Sequence, residues 1–389
     1  MKILITTDCY TPTVNGVVTS VLNLQKELLL RGHEVRILTL SQTMRSYTRD
    51  NVVYLGSIGA GKIYPGARMK TALSGSQIRE ILAWRPDIIH SQCEFSTFLP
   101  ARKIAKKLNI PIIHTYHTVY EDYTHYFFPN QIVGREMAAV LSRWVLKRTD
   151  CVIAPTEKVK SILTRYHIDR EIRVIPTGIT LRGFAEETPQ ERLMALKRSL
   201  GIPEDNRVLL YVGRLAREKN LEEVLNYYGA LRPERVTFLL VGDGPNRVPL
   251  EQLAARLELG KRVVFAGMIA PEKVADYYHL GNLFVSASGS EAQGLTYLEA
   301  LASGVPVLCR RDDCLKDVVI DGQNGWQYED EEDFMEKLDG FLQDGSLGES
   351  MSREAKQLAM EKFSAATFAE RAETVYQDVL NSSVNHVMC

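Results

Sequence analysis

Short apolar, β-branched runs recur through the first half of the chain, at residues 2–6, 35–40, 87–91, 111–115, 151–155 and 172–176. Between several of them lie stretches with helical spacing of apolar residues, such as 19–31, and this alternation predicts a parallel sheet covered on both faces. The second half repeats the scheme, with strands expected at 207–212, 237–241, 263–266, 283–286 and 306–310. The pattern predicts an α/β protein of two doubly wound, Rossmann-like domains, residues 1–178 and 179–364, facing a central cleft at the carboxyl ends of both sheets. A last helix is expected over about 365–380, able to pack back onto the first domain, followed by a loose polar tail at 381–389.

Composition changes this picture little. With 389 residues, 45% hydrophobic and 24% charged, the chain reads as an ordinary globular protein able to build two large cores. No apolar run approaches the roughly 18 residues of a membrane span, and Asp8 interrupts the opening run too early for a signal segment, so a cytoplasmic protein is expected. Six cysteines show no C-x-x-C spacing, which favours free thiols over disulfides or zinc. The net charge of −1 conceals an asymmetry: residues 1–180 hold 24 Lys and Arg against 14 Asp and Glu, the remainder 23 against 34. A basic half fits a nucleic-acid or anionic-lipid surface, and it equally fits two halves attracting each other across a cleft.

The segment Glu291-Ala-Gln-Gly-Leu-Thr-Tyr-Leu-Glu299 places two carboxylates eight positions apart across a helix start, just after the strand at 283–286. Gly294, Leu295 and Thr296 would present unpaired N–H groups there, where the helix dipole favours an anion. Glu299 lies a turn further in, within reach of a ribose hydroxyl, and Glu291 in the loop is free to accept from a hexose. This is the construction of a sugar-diphosphate pocket, although a capped amphipathic helix with solvated glutamates has the same pattern.

Other strand ends add to it. Arg214 and Lys219 follow the strand ending at Val212, an Arg fork and a Lys point charge suited to two phosphates; alternatively, Arg217 and Lys219 are solvated helix-start residues. Gly16 sits at a loop-to-helix junction that permits close approach of a ligand, and Gly242 closes another strand in a turn able to line a nucleotide pocket, although a tight packing turn or plain turn chemistry accounts for either glycine equally. Met268 and Ile269 could offer backbone groups to a base edge. In the first half, His117, Tyr120, Tyr123, His125 and Tyr126 load one post-strand loop with rings and titratable groups, more a substrate wall than core. Asp312 and Asp313 lack the companions of a metal site, so no catalytic metal is expected.

Taken together, Asn15-Gly16-Val17, Pro176-Thr-Gly-Ile179, Gly213-Arg214 with Glu218-Lys219, Gly242-Asp-Gly-Pro245 and the two glutamates resemble the retaining nucleotide-sugar glycosyltransferases of family 4, which share the two-Rossmann GT-B fold. Within the family, Glu94-Phe-Ser96, His117-Thr118, residues 122–126 and Gln293-Gly-Leu-Thr-Tyr297 look most like the bacterial branch that glucosylates diacylglycerol. The resemblance implies that Arg214 and Lys219 hold the diphosphate, Glu291 the hexose and Glu299 the ribose. Gly16 and the Leu295 and Thr296 amides would complete the phosphate site. His117 would lie against the sugar, with Glu94, Tyr120, Tyr123, His125 and Tyr126 on the acceptor side. It also implies retention of configuration without a protein nucleophile, the leaving phosphate taking the proton of the incoming hydroxyl, and no metal cofactor. Ala292-Gln293-Gly294 replaces the Gly-Phe-Gly of many members, which leaves the hexose open.

A lipid acceptor requires the protein to meet a bilayer. On a helix, Val133, Met137, Val140, Leu141, Trp144 and Val145 gather on one side and Arg135, Arg143 and Lys147 on another, a basic amphipathic pattern suited to anionic lipid. An ordinary helix packing that face on its own sheet shows the same pattern. Residues 64–85, with Arg68, Lys70, Arg79 and Arg85, could extend the surface. The sequence thus points to transfer of glucose from UDP-glucose to diacylglycerol by an enzyme peripheral on the inner face of the cell membrane, with no nucleic-acid partner. The rival readings are a family 4 enzyme with another sugar nucleotide or a soluble or protein-linked glycan acceptor, and, from another class, a UDP-sugar epimerase.

Overall fold

The computed structural model describes the chain except residues 62–66, 72–74, 122–129 and 388–389. Two compact units emerge, 1–178 together with 365–389, and 179–364. In the first, the strands are β1 (Lys2–Thr6), β2 (Glu34–Leu40), β3 (Tyr47–Arg49), β4 (Val52–Leu55), β5 (Ser57–Gly59), β6 (Arg68–Lys70), β7 (Ile88–Ser91), β8 (Ile112–Thr115), β9 (Cys151–Ala154) and β10 (Glu171–Val174). Its main sheet runs β10-β9-β8-β7-β1-β2-β4-β3, parallel except for the β3–β4 hairpin, while β5 and β6 form a separate antiparallel ribbon.

The strands read as unbroken apolar runs because both faces are covered. Ile3 and Ile5 of β1 face a cluster built with Val21, Leu24 and Leu28 of the helix Gly16–Leu30 and Phe368, Ala372 and Tyr376 of the last helix, Ala365–Val387. Leu4 points the other way, into a cluster with Ile81, Ala101 and Ile104 from the helices Gly75–Trp84 and Phe98–Leu108. Full burial of a side chain such as Phe368 contributes about 1.5–3 kcal/mol, and polar contacts fix the register of the last helix: Arg31 Nε meets Glu373 at 2.6 Å, and His90 Nδ1 meets the Tyr376 hydroxyl at 2.7 Å.

The second unit carries β11 (Arg207–Val212), β12 (Val236–Val241), β13 (Val263–Gly267), β14 (Leu283–Ser286), β15 (Val307–Arg310) and β16 (Gly325–Tyr328), a wholly parallel sheet in the order β13-β12-β11-β14-β15-β16. Here too alternate residues of one strand serve opposite cores: Val208, Leu210 and Val212 join one cluster, Leu209 and Tyr211 the other.

The strand orders decide where ligands can bind. In the first unit the chain leaves β1 towards β2 and returns to β1's other side at β7; in the second it leaves β11 towards β12 and β13 and returns at β14. Each reversal opens a crevice at the carboxyl ends of the two diverging strands. The loops after β1 and β7, and after β11 and β14, are therefore the places to look.

Several elements differ from the sequence reading. Strands β3 to β6 and β16 were not expected, and the last helix continues to Val387 in place of a loose tail beginning at 381. Residues 381–387, Asn-Ser-Ser-Val-Asn-His-Val, contain neither Gly nor Pro, so nothing in them stops a helix already anchored by Phe368 and Tyr376. No helix of the described residues is long and apolar enough to cross a membrane.

Candidate active site

At the reversal of the second unit, β11 ends at Val212 and the chain turns through Gly213 and Arg214 into a short 3-10 turn, Arg217–Lys219. The turn is shaped by a close approach of three strand ends: Gly213 N donates to Val241 O at 2.9 Å and Gly242 N to Gly267 O at 2.8 Å. A Cβ on Gly242 would lie 1.9 Å from Gly213 O, so only glycine fits there. Arg214 is half-buried, with Nη1 3.9 Å from Glu218 Oε1. Lys219 Nζ lies 2.5 Å from Glu291 Oε1, bringing together residues from the loops after β11 and β14. Burial is the largest single effect and works against the Lys219 charge, but Glu291, Tyr211 and Glu218 together outweigh it and hold the ammonium pKa above its ordinary value.

After β14, Gly294 stands as N-cap of the helix Leu295–Ala302 at φ 77°, where any Cβ would meet the Tyr297 ring at 2.6 Å. Its N-cap glycine has no side chain with which to cap it. The Leu295 and Thr296 amides thus come at a helix start, where the peptide dipoles favour an anion. One turn on, Glu299 accepts a 2.8 Å hydrogen bond from the Tyr278 hydroxyl. Desolvation pushes the Glu299 carboxyl up to about 7, the Tyr278 bond pulling the other way. Met268, largely exposed, and Ile269 follow the end of β13.

At the reversal of the first unit the loops after β7 and β8 carry a dense polar cluster. Glu94, only 5% exposed, accepts from His114 Nε2 at 3.1 Å and from the Tyr120 hydroxyl. His117 Nε2 meets Gln92 Oε1 at 2.6 Å. Burial lowers the His117 imidazole to about 4 despite the pull of Glu94, with His114 adding to the depression, so the ring is neutral at physiological pH. Asp8, after β1, accepts from Ser96 N at 2.9 Å and from Thr97 N and Oγ1 at 2.7 Å each, pinning the 94–97 loop over the cluster. Gly16 opens the first helix, whose Asn15 N-cap accepts from Val18 N at 2.9 Å. Tyr123, His125 and Tyr126 lie outside the described residues. The sequence reading missed Gln92, Asp8 and Tyr278; the rule that singled out Arg214 and His117, a polar residue directly after an apolar strand, applies equally to Gln92 and Asp8. Among the described residues no group of His, Cys, Asp and Glu has the arrangement of a metal site, and five cysteines are free thiols.

Comparison with known proteins adds the decisive observation. The sequence matches the profile of Glycosyltransferase Family 4 over residues 14–182 and that of Glycosyl transferases group 1 over 194–358. It is 37% identical to the alpha-monoglucosyldiacylglycerol synthase of Streptococcus pneumoniae over 98% of this chain and 87% of that protein. The chain belongs to glycosyltransferase family 4. A second relative, the alpha-monoglucosyldiacylglycerol synthase of Acholeplasma laidlawii, is 31% identical over 98% of both chains. Among solved structures, the sucrose-phosphate synthase of Thermosynechococcus elongatus superposes with a TM-score of 0.78 at 21% identity over 98% of this chain and 99% of that one. Anabaena HepE, solved in complex with UDP-glucose, gives 0.74 at 17% identity over 97% and 100%. The family 4 enzyme therefore has the GT-B fold and is a hexosyltransferase.

The helix Gln131–Leu146 of this glycosyltransferase does not bury the whole of its apolar stripe. Its inner face is Ala138, Ala139, Ser142, Val145 and Leu146, whereas Val133, Met137, Val140 and Trp144 are 39–50% exposed in one stripe. Val145 leaves the expected stripe because it packs inward. The neighbouring helix Phe98–Leu108, joined to this one by the Phe98–Trp144 ring contact, exposes Leu99, Arg102, Lys103, Lys106 and Lys107, and Phe95 is exposed just before it.

Proposed function

We propose that this enzyme transfers glucose from UDP-glucose to the free hydroxyl of diacylglycerol, with retention of configuration, at the cytoplasmic surface of the membrane. The observation that carries the reading is full-length relatedness to two proteins named alpha-monoglucosyldiacylglycerol synthase, at 37% and 31% identity. The geometry supports it on each unit separately. In the second, Arg214 and Lys219 neutralise the diphosphate, the Leu295 and Thr296 amides bind its oxygens, Glu291 accepts from the hexose and Glu299 from the ribose. Stabilising the departing diphosphate is the main catalytic task, since charge develops there as the glycosidic bond breaks. In the first, neutral His117 faces the sugar and Glu94, held by His114 and Tyr120, accepts from the acceptor alcohol. The departing phosphate takes the alcohol's proton, so no protein base is required.

The outward stripe of Val133, Met137, Val140 and Trp144, beside the cations Arg102, Lys103, Lys106 and Lys107, is the surface a peripheral enzyme needs on an anionic bilayer. At about 1 kcal/mol per basic residue near the surface, replacing those four cations with glutamine should weaken partition onto anionic vesicles roughly a thousandfold. The test supplies purified enzyme with labelled UDP-glucose and vesicles of anionic lipid containing diacylglycerol. An α-linked monoglucosyl lipid is expected, formed faster than on neutral vesicles; no glycolipid under saturating donor and acceptor would exclude the reading.

Glu299 gives the donor side a pH signature. Its carboxyl is raised above the unfolded value, so its contribution to stability is present below about 4.5 and is lost as pH rises through about 7. Ribose hydroxyls donate to the ionised form, so UDP binding at pH 7 should release about half a proton. Titration calorimetry in two buffers of different ionisation enthalpy measures the total release, and Glu299→Gln should lower it by that half proton.

A further inference from the structure

Gln92 is the first residue past β7, and its N–H donates to Thr6 O at 2.8 Å, which ties it to the end of β1 at the reversal of the first unit. Its side chain is 1% exposed. The amide oxygen meets His117 Nε2 at 2.6 Å. An amide oxygen can only accept, so Nε2 of His117 carries the hydrogen and Nδ1 keeps its lone pair. The other end of the amide is unusual: Gln92 Nε2 is buried and has no hydrogen-bond partner among the described residues. Two N–H donors taken out of water with nothing to meet are a standing cost to the fold, and buried polar groups are otherwise almost always paired.

The surroundings of His117 keep its role simple. The titratable groups facing it are His90, His114 and Glu94. His90 is itself held between the Tyr376 hydroxyl and Thr115 Oγ1, each at 2.7 Å, and His114 by Glu94 at 3.1 Å. Neither competes for Gln92.

We propose that Gln92 is a positioning residue for hydroxyl recognition: its oxygen fixes His117 in the Nε2–H tautomer, so that Nδ1 accepts from a ligand hydroxyl, and its unpaired amide N–H donates to an oxygen of the same ligand. The ligand is a neutral alcohol, either the hexose of the donor or the glycerol of the acceptor. The inference rests on the proposed placement of His117 against substrate, but its first test does not require transfer.

That test is histidine-selective 15N NMR of the full chain without ligand, in wild type, Gln92→Leu and Gln92→Glu. Wild type should show His117 as the Nε2–H tautomer, Gln92→Leu a mixture of both tautomers, and Gln92→Glu the wild-type tautomer with protonation moved to higher pH. An Nδ1–H tautomer in wild type, or one indifferent to Gln92→Leu, overturns the proposal whatever the substrate proves to be. The second test sets stability against kinetics. Leucine is close in shape and removes both the unpaired donor and the acceptor of the His117 bond, two effects of opposite sign, so Gln92→Leu should melt close to the wild-type temperature, while kcat/KM falls by roughly 10- to 100-fold, the usual scale for a misplaced site group. A KM rise confined to UDP-glucose assigns the hydroxyl to the hexose, and one confined to diacylglycerol assigns it to glycerol. Gln92→Glu keeps the acceptor but loses the amide donor, so it should lose activity at every pH and most steeply at acid pH. Full activity in either variant contradicts the proposal. If the tautomer behaves as expected but no glycolipid forms, the lipid reading fails and the assignment of Gln92 stands.

Discussion

Replacing Lys219 with alanine is expected to lower the rate of hexose transfer by roughly 100- to 1,000-fold, the scale seen when one preorganised donor is removed from a developing negative charge. Two effects act together. The ammonium that meets the leaving diphosphate is gone, and the Glu291 carboxylate 2.5 Å from it is left without its cation beside the place the phosphates must occupy. The first effect appears in kcat with saturating UDP-glucose, the second in the affinity for UDP. The two separate in the double variant: Lys219→Ala with Glu291→Gln should recover part of the UDP affinity lost in Lys219→Ala and none of the turnover. Unchanged kcat in Lys219→Ala would remove this residue from the phosphate site.

Glu291→Gln should produce the opposite split. Freed from its partner, Lys219 can devote its charge to phosphate, so UDP should bind at least as tightly as to wild type. Transfer should nevertheless fall about 100-fold, because the hexose loses a carboxylate acceptor that matters most as the ring moves towards the transition state. Removing one member of a partly buried pair leaves an uncompensated charge, so the empty variant should melt below wild type. Saturating UDP should then raise its melting temperature by more than it raises that of wild type, since a ligand that binds the folded state stabilises it by mass action. A variant that loses UDP binding and turnover equally would place Glu291 in a general supporting role instead.

The sequence made the central strands legible for a plain reason: β11 and β12 are buried on both faces, and a run such as Val208 to Val212 has no other use in a chain of this composition. The unread strands lack that signal. Tyr47–Arg49 is exposed throughout and pairs only at the sheet edge, and β16 hides behind Gln327, a buried amide that receives Asp312 N at 3.2 Å and donates to Val319 O at 3.0 Å. Helix ends are legible where a breaker stands, and none stands at 381.

The candidate residues were visible as polar groups directly after apolar runs. Their partnerships were not. Lys219 and Glu291 are 72 positions apart, Glu94 and His114 are 20, and Glu299 and Tyr278 are 21. Each pairing depends on which strands or helices lie side by side. Strand order is a property of the whole sheet, set by how the apolar faces of many elements share two cores, and no local spacing encodes it. The exposed stripe of residues 133–144 shows the same limit from another side: periodicity reveals an apolar face, but only the packed Ala138, Ala139 and Val145 show that a different face is the buried one.

The central claim is that the loops after β11 and β14 bind the diphosphate of a sugar nucleotide, and a crystal structure of the enzyme soaked with UDP tests it most directly. The account predicts phosphate oxygens within hydrogen-bond reach of Arg214, Lys219 and the amides of Leu295 and Thr296, with the Lys219–Glu291 contact lengthened and the ribose on Glu299. UDP bound elsewhere, with Lys219 still closed on Glu291 and the 295–302 helix start unoccupied, would contradict it.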